Sequence, residues 1–135
     1  MTGWLDADVI LRYLLNDHEK HSKGALALLD RAADEGQPLY VAPFIVAELV
    51  YVLESLDHSC VEIFNALRGL CRVTSICFIE EELVLAALLN YRDLEVDFAD
   101  ALLMAKAQGQ GEQVWTFNRC DFRKLGGEWA EPPGS

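Results

Sequence analysis

The chain has 135 residues, of which 52% are hydrophobic, and its 22 Asp and Glu against 11 Lys and Arg give a net charge of −11. This length and apolar content are typical of one compact domain and leave little room for two. The excess of acid disfavours broad attraction to nucleic acid, so any such contact must depend on local positive charge.

Short apolar runs alternate along the chain with longer segments whose apolar residues recur at helical spacing. Pro43 suits the first turn of a helix, Gly36 suits a helix C-terminus and Ser59 suits an N-cap. In chain order the pattern predicts a strand at 4–5, helices at 9–14 and 18–36, a strand at 39–41, helices at 43–53 and 59–70, a strand at 72–76, helices at 80–91 and 97–108, a strand at 113–117 and a helical turn at 121–125.

This alternation predicts an α/β fold, a three-layer α/β/α sandwich around a central and mostly parallel sheet, because parallel strands need crossover helices. Functional sites of such folds lie at the carboxyl ends of the strands. We expect a single domain over residues 1–130, followed by a disordered tail at 131–135.

The cysteines lack CxxC spacing, so neither a zinc site nor a disulfide framework is indicated, and we expect reduced, mostly buried thiols. The sequence shows no signal-peptide pattern and no apolar run of membrane-spanning length. We therefore expect a cytoplasmic protein without membrane contact.

Two acids stand at the first strand-to-helix junction. Asp6 follows the strand and is flanked by apolar residues, so we expect it near the core, where an acid must be paired or coordinated. Asp8 opens the following helix, and an ordinary N-cap role would also explain it.

Glu48 interrupts the most apolar helix of the chain. Its neighbours one turn away are apolar, so we expect a carboxylate facing the core, where an unpaired charge would cost several kcal/mol. The alternatives are a thin solvent-facing stripe or a pairing with a buried Arg.

Acids also precede and follow the last strand. Asp97 and Asp100 share one helical face, on which Asp100 points to the core side and is the favoured ligand, while Asp97 also suits an N-cap. Thr116, Asn118 and Asp121 lie where the last strand ends in a polar turn, and simple turn formation would also explain the latter two.

Carboxylates gathered in one place repel one another and require a cation. Oxygen ligands select hard ions such as Mg²⁺ or Mn²⁺, which can activate water and neutralise a phosphate. The chemistry predicted from these residues is phosphodiester hydrolysis without a histidine.

At these positions the sequence resembles the PIN-domain family over nearly its whole length. The first acidic motif is similar to residues 5–14, the second to residues 46–49, the third to residues 97–102 and the fourth to residues 116–122. Each motif alone is weak, but their order and spacing are specific. Ala7 departs from the hydroxyl residue that is frequent in the family, and Asp8 from a frequent Asn.

The resemblance implies a catalytic and metal-binding set of acids, with further support nearby. The implied catalytic ligands are Asp6, Glu48, Asp100 and Asp121; Asp97 is a further metal ligand, and Asp8, Thr116 and Asn118 are supporting residues. Among PIN proteins, a chain this short is similar to VapC-type toxins, which implies an RNA substrate, a homodimer and neutralisation by a small antitoxin.

Basic residues near these motifs are candidates for binding the substrate. Arg12, Arg119, Arg123 and Lys124 are the predicted substrate-binding residues, although a solvated surface or an Asp8–Arg12 helix pair would also explain them. Apolar residues near Tyr51, Leu53 and Phe64 suit either a partner surface or ordinary core. Two other functions stay open: a PIN-fold binding module with little hydrolysis, and a metal-dependent phosphatase for small phosphate esters.

Overall fold

The computed structural model describes residues 2–134 of the chain. Within these residues the backbone forms helices joined by strands of two or three residues. In chain order they are β1 (Gly3–Trp4), α1 (Ala7–Leu15), α2 (Glu19–Glu35), β2 (Leu39–Val41), α3 (Pro43–Ser55), α4 (Cys60–Leu70), β3 (Ile76–Phe78), α5 (Glu81–Leu94), α6 (Phe98–Gly109), β4 (Val114–Trp115), α7 (Arg119–Leu125) and β5 (Trp129–Ala130).

The chain divides into two compact units, the first ending at Glu81 and the second beginning at Glu82. The first unit contains a parallel sheet in the order β1-β2-β3, with Trp4 opposite Tyr40. Helices α1 and α2 cross from β1 to β2, and α3 and α4 cross from β2 to β3, as parallel pairing demands. Helix α1 packs against α2 and α3, and α3 packs against α4.

Local sequence explains the helix ends of the first unit. Gly36 ends α2 with φ 64°, a left-handed conformation that glycine adopts without a Cβ clash. Pro43 opens α3 at a position where its missing N–H costs nothing. Ser59 accepts from the Glu62 N–H while the Glu62 side chain accepts from the Ser59 N–H, which is a capping box.

The second unit is built around the parallel pair β4 and β5, in which Val114 lies opposite Trp129. Helix α6 packs against β4 and α7. Val114, Met104 and Phe122 form a buried cluster at this junction. Gly127 passes so close to it that an added Cβ would lie 2.3 Å from the Met104 sulfur.

The predicted α/β fold with parallel strands and crossover helices is confirmed. The strand predicted at 72–76 is displaced to Ile76–Phe78, because the N–H groups of residues 71–73 bond the carbonyls that end α4. Strand β5 is absent from the prediction, since two residues carry no periodicity. Within residues 2–134, no helix combines the length and apolarity needed to cross a membrane.

Two further expectations concern the cysteines and the tail. The thiols are free, but Cys77 and Cys120 are exposed, so the expected burial is wrong for these two. Of residues 131–135, Glu131 accepts a hydrogen bond from Arg119 at 3.0 Å. Ser135 lies outside the described residues.

Candidate functional site

A closed ring of hydrogen bonds joins four polar residues of the second unit. The Asp97 carboxylate accepts from the Asp100 N–H at 3.2 Å, and the Asp100 carboxylate accepts from Asn118 Nδ2 at 2.9 Å. The Asn118 amide oxygen accepts from the Asp121 N–H at 3.2 Å, and Asp121 Oδ2 accepts from the Asp97 N–H at 3.1 Å. Thr116 Oγ1 accepts from the Asn118 N–H at 2.9 Å and fixes the turn.

Helix starts produce this ring. Asp97 caps α6 and Asn118 caps α7, so each helix places its third residue, Asp100 or Asp121, at the same junction. Each cap satisfies an N–H that would otherwise lack an acceptor. The N-cap alternative for Asp97 is therefore confirmed, and the same residue also holds Asp121 in place.

The two carboxyl groups at the centre of the ring perturb each other. Burial raises the pKa of Asp100 to about 6, assisted by a hydrogen bond with Asp121 and by the charges of Asp97 and Asp121. Burial also raises the pKa of Asp121, but hydrogen bonds from the Asp97 N–H and from Asp100 outweigh it and leave that pKa below its usual range. The pair therefore shares a proton more readily than two separate acids would.

In the first unit, Asp6 lies directly after β1 and caps α1. Its carboxylate accepts from the Ala7 N–H at 2.7 Å, and the residue is exposed. The expectation that Asp6 lies near the core is wrong, because capping turns the side chain away from the buried residues beside it. Asp8 is not the N-cap. It is exposed in the first turn of α1, where its negative charge interacts favourably with the helix dipole.

Glu48 is exposed on α3, so the expected burial is wrong here as well. Phe44 and Tyr51 lie on the same stripe, one turn to either side, and each is 72% exposed. The thin solvent-facing stripe is therefore the correct alternative. Leu53 and Phe64 are buried core residues, while Tyr51 is available for a partner.

Two of the candidate substrate-binding residues already form ion pairs within the protein. Arg12 pairs with Asp17 at 2.9 Å instead of with Asp8. Arg119 forms a two-point ion pair with Glu131, and this hydrogen bonding raises the pKa of Arg119.

Two other cations stand on α7 beside Arg119. Lys124 Nζ donates to the Glu95 carbonyl at 3.4 Å, and Arg123 is exposed. Helix α7 thus carries three basic residues in its seven.

The donor chemistry of the second unit fits a hard cation. Among residues 2–134, no group of three or more His, Cys, Asp or Glu side chains has the arrangement of a metal site. Mg²⁺ nevertheless needs only one or two protein carboxylates, because it retains water and binds phosphate. Asp100 and Asp121 supply two, and burial, assisted by a hydrogen bond with Asp121 and by the charges of Asp97 and Asp121, raises the pKa of Asp100.

Sequence reasoning missed two kinds of surface. Trp115 and Phe117 flank Thr116 and are 55% and 66% exposed. Their apolar character alone would have predicted that they face the core. A groove of about 570 Å³ also runs between α1 and α2 and is lined by Asp8, Arg12, Lys20 and His21 together with apolar side chains. It becomes visible only when the two helices are packed.

The chain is similar to a solved structure and to a family of known proteins. No curated protein matches the chain. A crystal structure of VapBC2 from Rickettsia felis bound to a DNA fragment from their promoter is similar over 97% of this chain and 98% of that chain, with 13% sequence identity and a TM-score of 0.40. The model of the PIN domain family matches residues 4–128. PIN domains are typically nucleases of the α/β/α fold class, and a match over this much of the sequence shows that the chain belongs to the PIN domain family.

Proposed function

We propose that the protein is a cytoplasmic, metal-dependent endoribonuclease that hydrolyses RNA phosphodiester bonds as the toxin of a type II toxin–antitoxin pair. The observation that carries the proposal is the Asp100–Asp121 carboxyl pair, held by Asn118 at the start of two helices in a PIN-domain chain. Such a pair is unfavourable for stability and favourable for cation binding.

Membership of the PIN domain family suggests the proposed ligand set. Mg²⁺ or Mn²⁺ supplies a polarised water and neutralises the charge that develops on the phosphate when it is bound. The ligands proposed for this role are Asp6, Glu48, Asp97, Asp100 and Asp121, of which all but Asp97 are assigned as catalytic.

The residues around these acids orient them. Asn118 donates to one Asp100 oxygen, and the Asp97 N–H donates to one Asp121 oxygen, so each carboxylate keeps lone pairs for a cation. Asp100 must lose its proton before it can ligate, and its pKa of about 6 places that loss just below neutral pH. Thr116 fixes Asn118, and Asp8 adds negative charge beside Asp6.

The assay that tests this function compares single-stranded RNA with a small phosphate ester, each with Mg²⁺, with Mn²⁺ and with a chelator. We expect cleavage of the RNA but not of the phosphate ester, and only when metal is present. Asp6→Asn, Glu48→Gln and Asp100→Asn should each reduce kcat by at least a hundredfold, since each removes a proposed ligand. Asp30→Asn and Glu112→Gln, which alter exposed acids outside the set, are the matched controls and should retain activity.

Three outcomes would contradict the proposal. Unchanged cleavage by purified Asp100→Asn would remove the metal-ligand role. Hydrolysis of the small ester but not of RNA would favour a phosphatase. Metal-dependent RNA binding without hydrolysis would favour a binding module.

The proposed partners are a second copy of the chain and a small antitoxin. The exposed stripe of α3, with Phe44 and Tyr51 at either side of Glu48, is an apolar surface of the kind that partners cover. Light scattering should give twice the mass of the 135-residue chain, and the Tyr51→Glu variant should shift the mass towards the monomer or weaken antitoxin binding. A wild-type monomer would contradict the homodimer.

A further inference from the structure

Two exposed aromatic rings precede the acidic ring of the second unit. Val114 is buried in the core cluster, whereas Trp115 and Phe117 are 55% and 66% exposed. The Thr116 N–H donates to the Ala130 carbonyl at 3.1 Å, so the pairing with β5 continues for one residue beyond Trp115. The chain then bends at Phe117. Both rings are therefore open to solvent where β4 ends, and these two residues form the aromatic face.

This aromatic face leads directly into the acidic ring. Phe117 is followed by Asn118, whose side chain donates to Asp100 and accepts from the Asp121 N–H. Two hydrogen bonds close this turn, because the Asn118 N–H donates to Thr116 Oγ1 and the Arg119 N–H donates to the Phe117 carbonyl. Trp115 and Phe117 therefore lie three residues and one residue before Asn118, which contacts both proposed ligands.

Local charge identifies the kind of partner that suits this face. The chain has only 11 Lys and Arg, yet three of them, Arg119, Arg123 and Lys124, fall in the seven residues of α7. Arg119 is neutralised by Glu131, so Arg123 and Lys124 supply most of the available positive charge. Exposed aromatic rings combined with cations a few residues further along the chain are typical of single-stranded nucleic acid binding, in which bases stack on rings and phosphates bind the cations.

We propose that Trp115 and Phe117 stack the bases of single-stranded RNA, while Arg123 and Lys124 bind its phosphates, so that this strip positions the strand beside Asp100 and Asp121. The inference rests on the proposed function and adds the residues that position the unpaired strand. A duplex does not present its base faces to the rings, so paired RNA should bind weakly and independently of them.

The test measures binding of a labelled single-stranded RNA by fluorescence anisotropy in the Asp100→Asn protein, in which hydrolysis is removed. Trp115→Ala and Phe117→Ala should each weaken binding by about tenfold, since each removes a ring on which one base stacks. Trp115→Phe retains a stacking ring and should recover most of the affinity. Trp4→Ala is the matched control, because Trp4 is 66% exposed in the other unit, and it should leave the affinity within about twofold.

Salt dependence separates the contribution of the cations from that of the rings. Arg123→Ala and Lys124→Ala should each lower the slope of log affinity against log salt by about 0.7, the value for one phosphate contact to a single strand. The two ring substitutions should leave this slope unchanged.

These experiments can refute the stacking inference and the proposed function separately. If the ring substitutions weaken RNA binding but the wild type never hydrolyses RNA, the stacking inference stands and the proposed function falls. Equal losses in Trp4→Ala and Trp115→Ala, or no saturable binding to single strands, would overturn the inference even if the wild type cleaves RNA. It is also overturned if Trp115→Ala alters the oligomeric mass, because the face would then be an interface between chains.

Discussion

Replacing Asp100 by Asn should stabilise the metal-free protein at neutral pH. The folded protein raises the pKa of Asp100 from 3.8 to about 6, so between those values it binds more protons than the unfolded chain does. Its stability therefore increases as pH falls from 7 towards 4, and the Asp100 carboxylate opposes folding at pH 7. This difference between the two pKa values corresponds to at most about 3 kcal/mol of unfolding free energy. Solvent screening at this half-buried position reduces it to about 1–2 kcal/mol.

Asparagine removes this charge and keeps an oxygen that accepts from Asn118 Nδ2. A gain of 1–2 kcal/mol raises the Tm of a domain of this size by about 3–8 °C. The assay is thermal unfolding from pH 4.5 to 8 with a chelator, with Glu112→Gln as the control for loss of an exposed acid. The advantage of Asp100→Asn should fall to about a third of its neutral value near pH 4.5, because it is lost fully only below the unfolded pKa, and saturating Mn²⁺ should stabilise the wild type more than the variant. A variant less stable than the wild type at pH 7.5, or an advantage independent of pH, would refute the reasoning.

Four further predictions separate folding from function. Asp6→Asn should keep the cap of α1 and lose cleavage, whereas Asp6→Ala should also lose about 1 kcal/mol, measured by urea unfolding. Glu48→Gln should change the free energy of unfolding by less than about 0.5 kcal/mol, since the residue is exposed; a larger loss would reveal a structural role. Gly127→Ala should cost about 1–3 kcal/mol, because its Cβ would lie 2.3 Å from the Met104 sulfur, and an unchanged Tm would show that this side chain moves freely. Ser59→Ala should cost about 1 kcal/mol, and Ser59→Asp, which can cap, should restore most of it.

Elements with a local cause were predictable from the sequence. Gly36, Pro43 and Ser59 each mark a helix end through backbone or capping chemistry that depends on a few neighbouring residues. β2 was predicted with its observed bounds, because it is apolar and lies between two helix signatures. β5 depends on pairing with β4, which only the tertiary fold supplies.

Burial of the acids was less predictable than their position. Asp6 and Glu48 have apolar neighbours in the sequence, yet both are exposed, because a cap and one helical stripe can carry a polar side chain outward from an apolar segment. The stripe on α3 was predicted only as an alternative, since Phe44 and Tyr51, its other members, are themselves exposed. Binary patterning assumes that large apolar residues face inward, and that assumption fails for these two residues.

Helix capping and catalysis can both explain the acids of this chain. The position of each acid in its helix shows for which of them capping is a sufficient explanation. Asp6, Asp97 and Asn118 each cap a helix, a role that Ser, Thr or Asn would fill as well as Asp. Asp100 and Asp121 cap nothing, and each would gain from its helix dipole if it stood alone. Where they meet, burial, a hydrogen bond between them and the charges of Asp97 and Asp121 raise the pKa of Asp100 to about 6. Helix stability gives no reason to place two acids against each other, whereas a bound cation does, so this pair carries the functional argument that the caps alone would not.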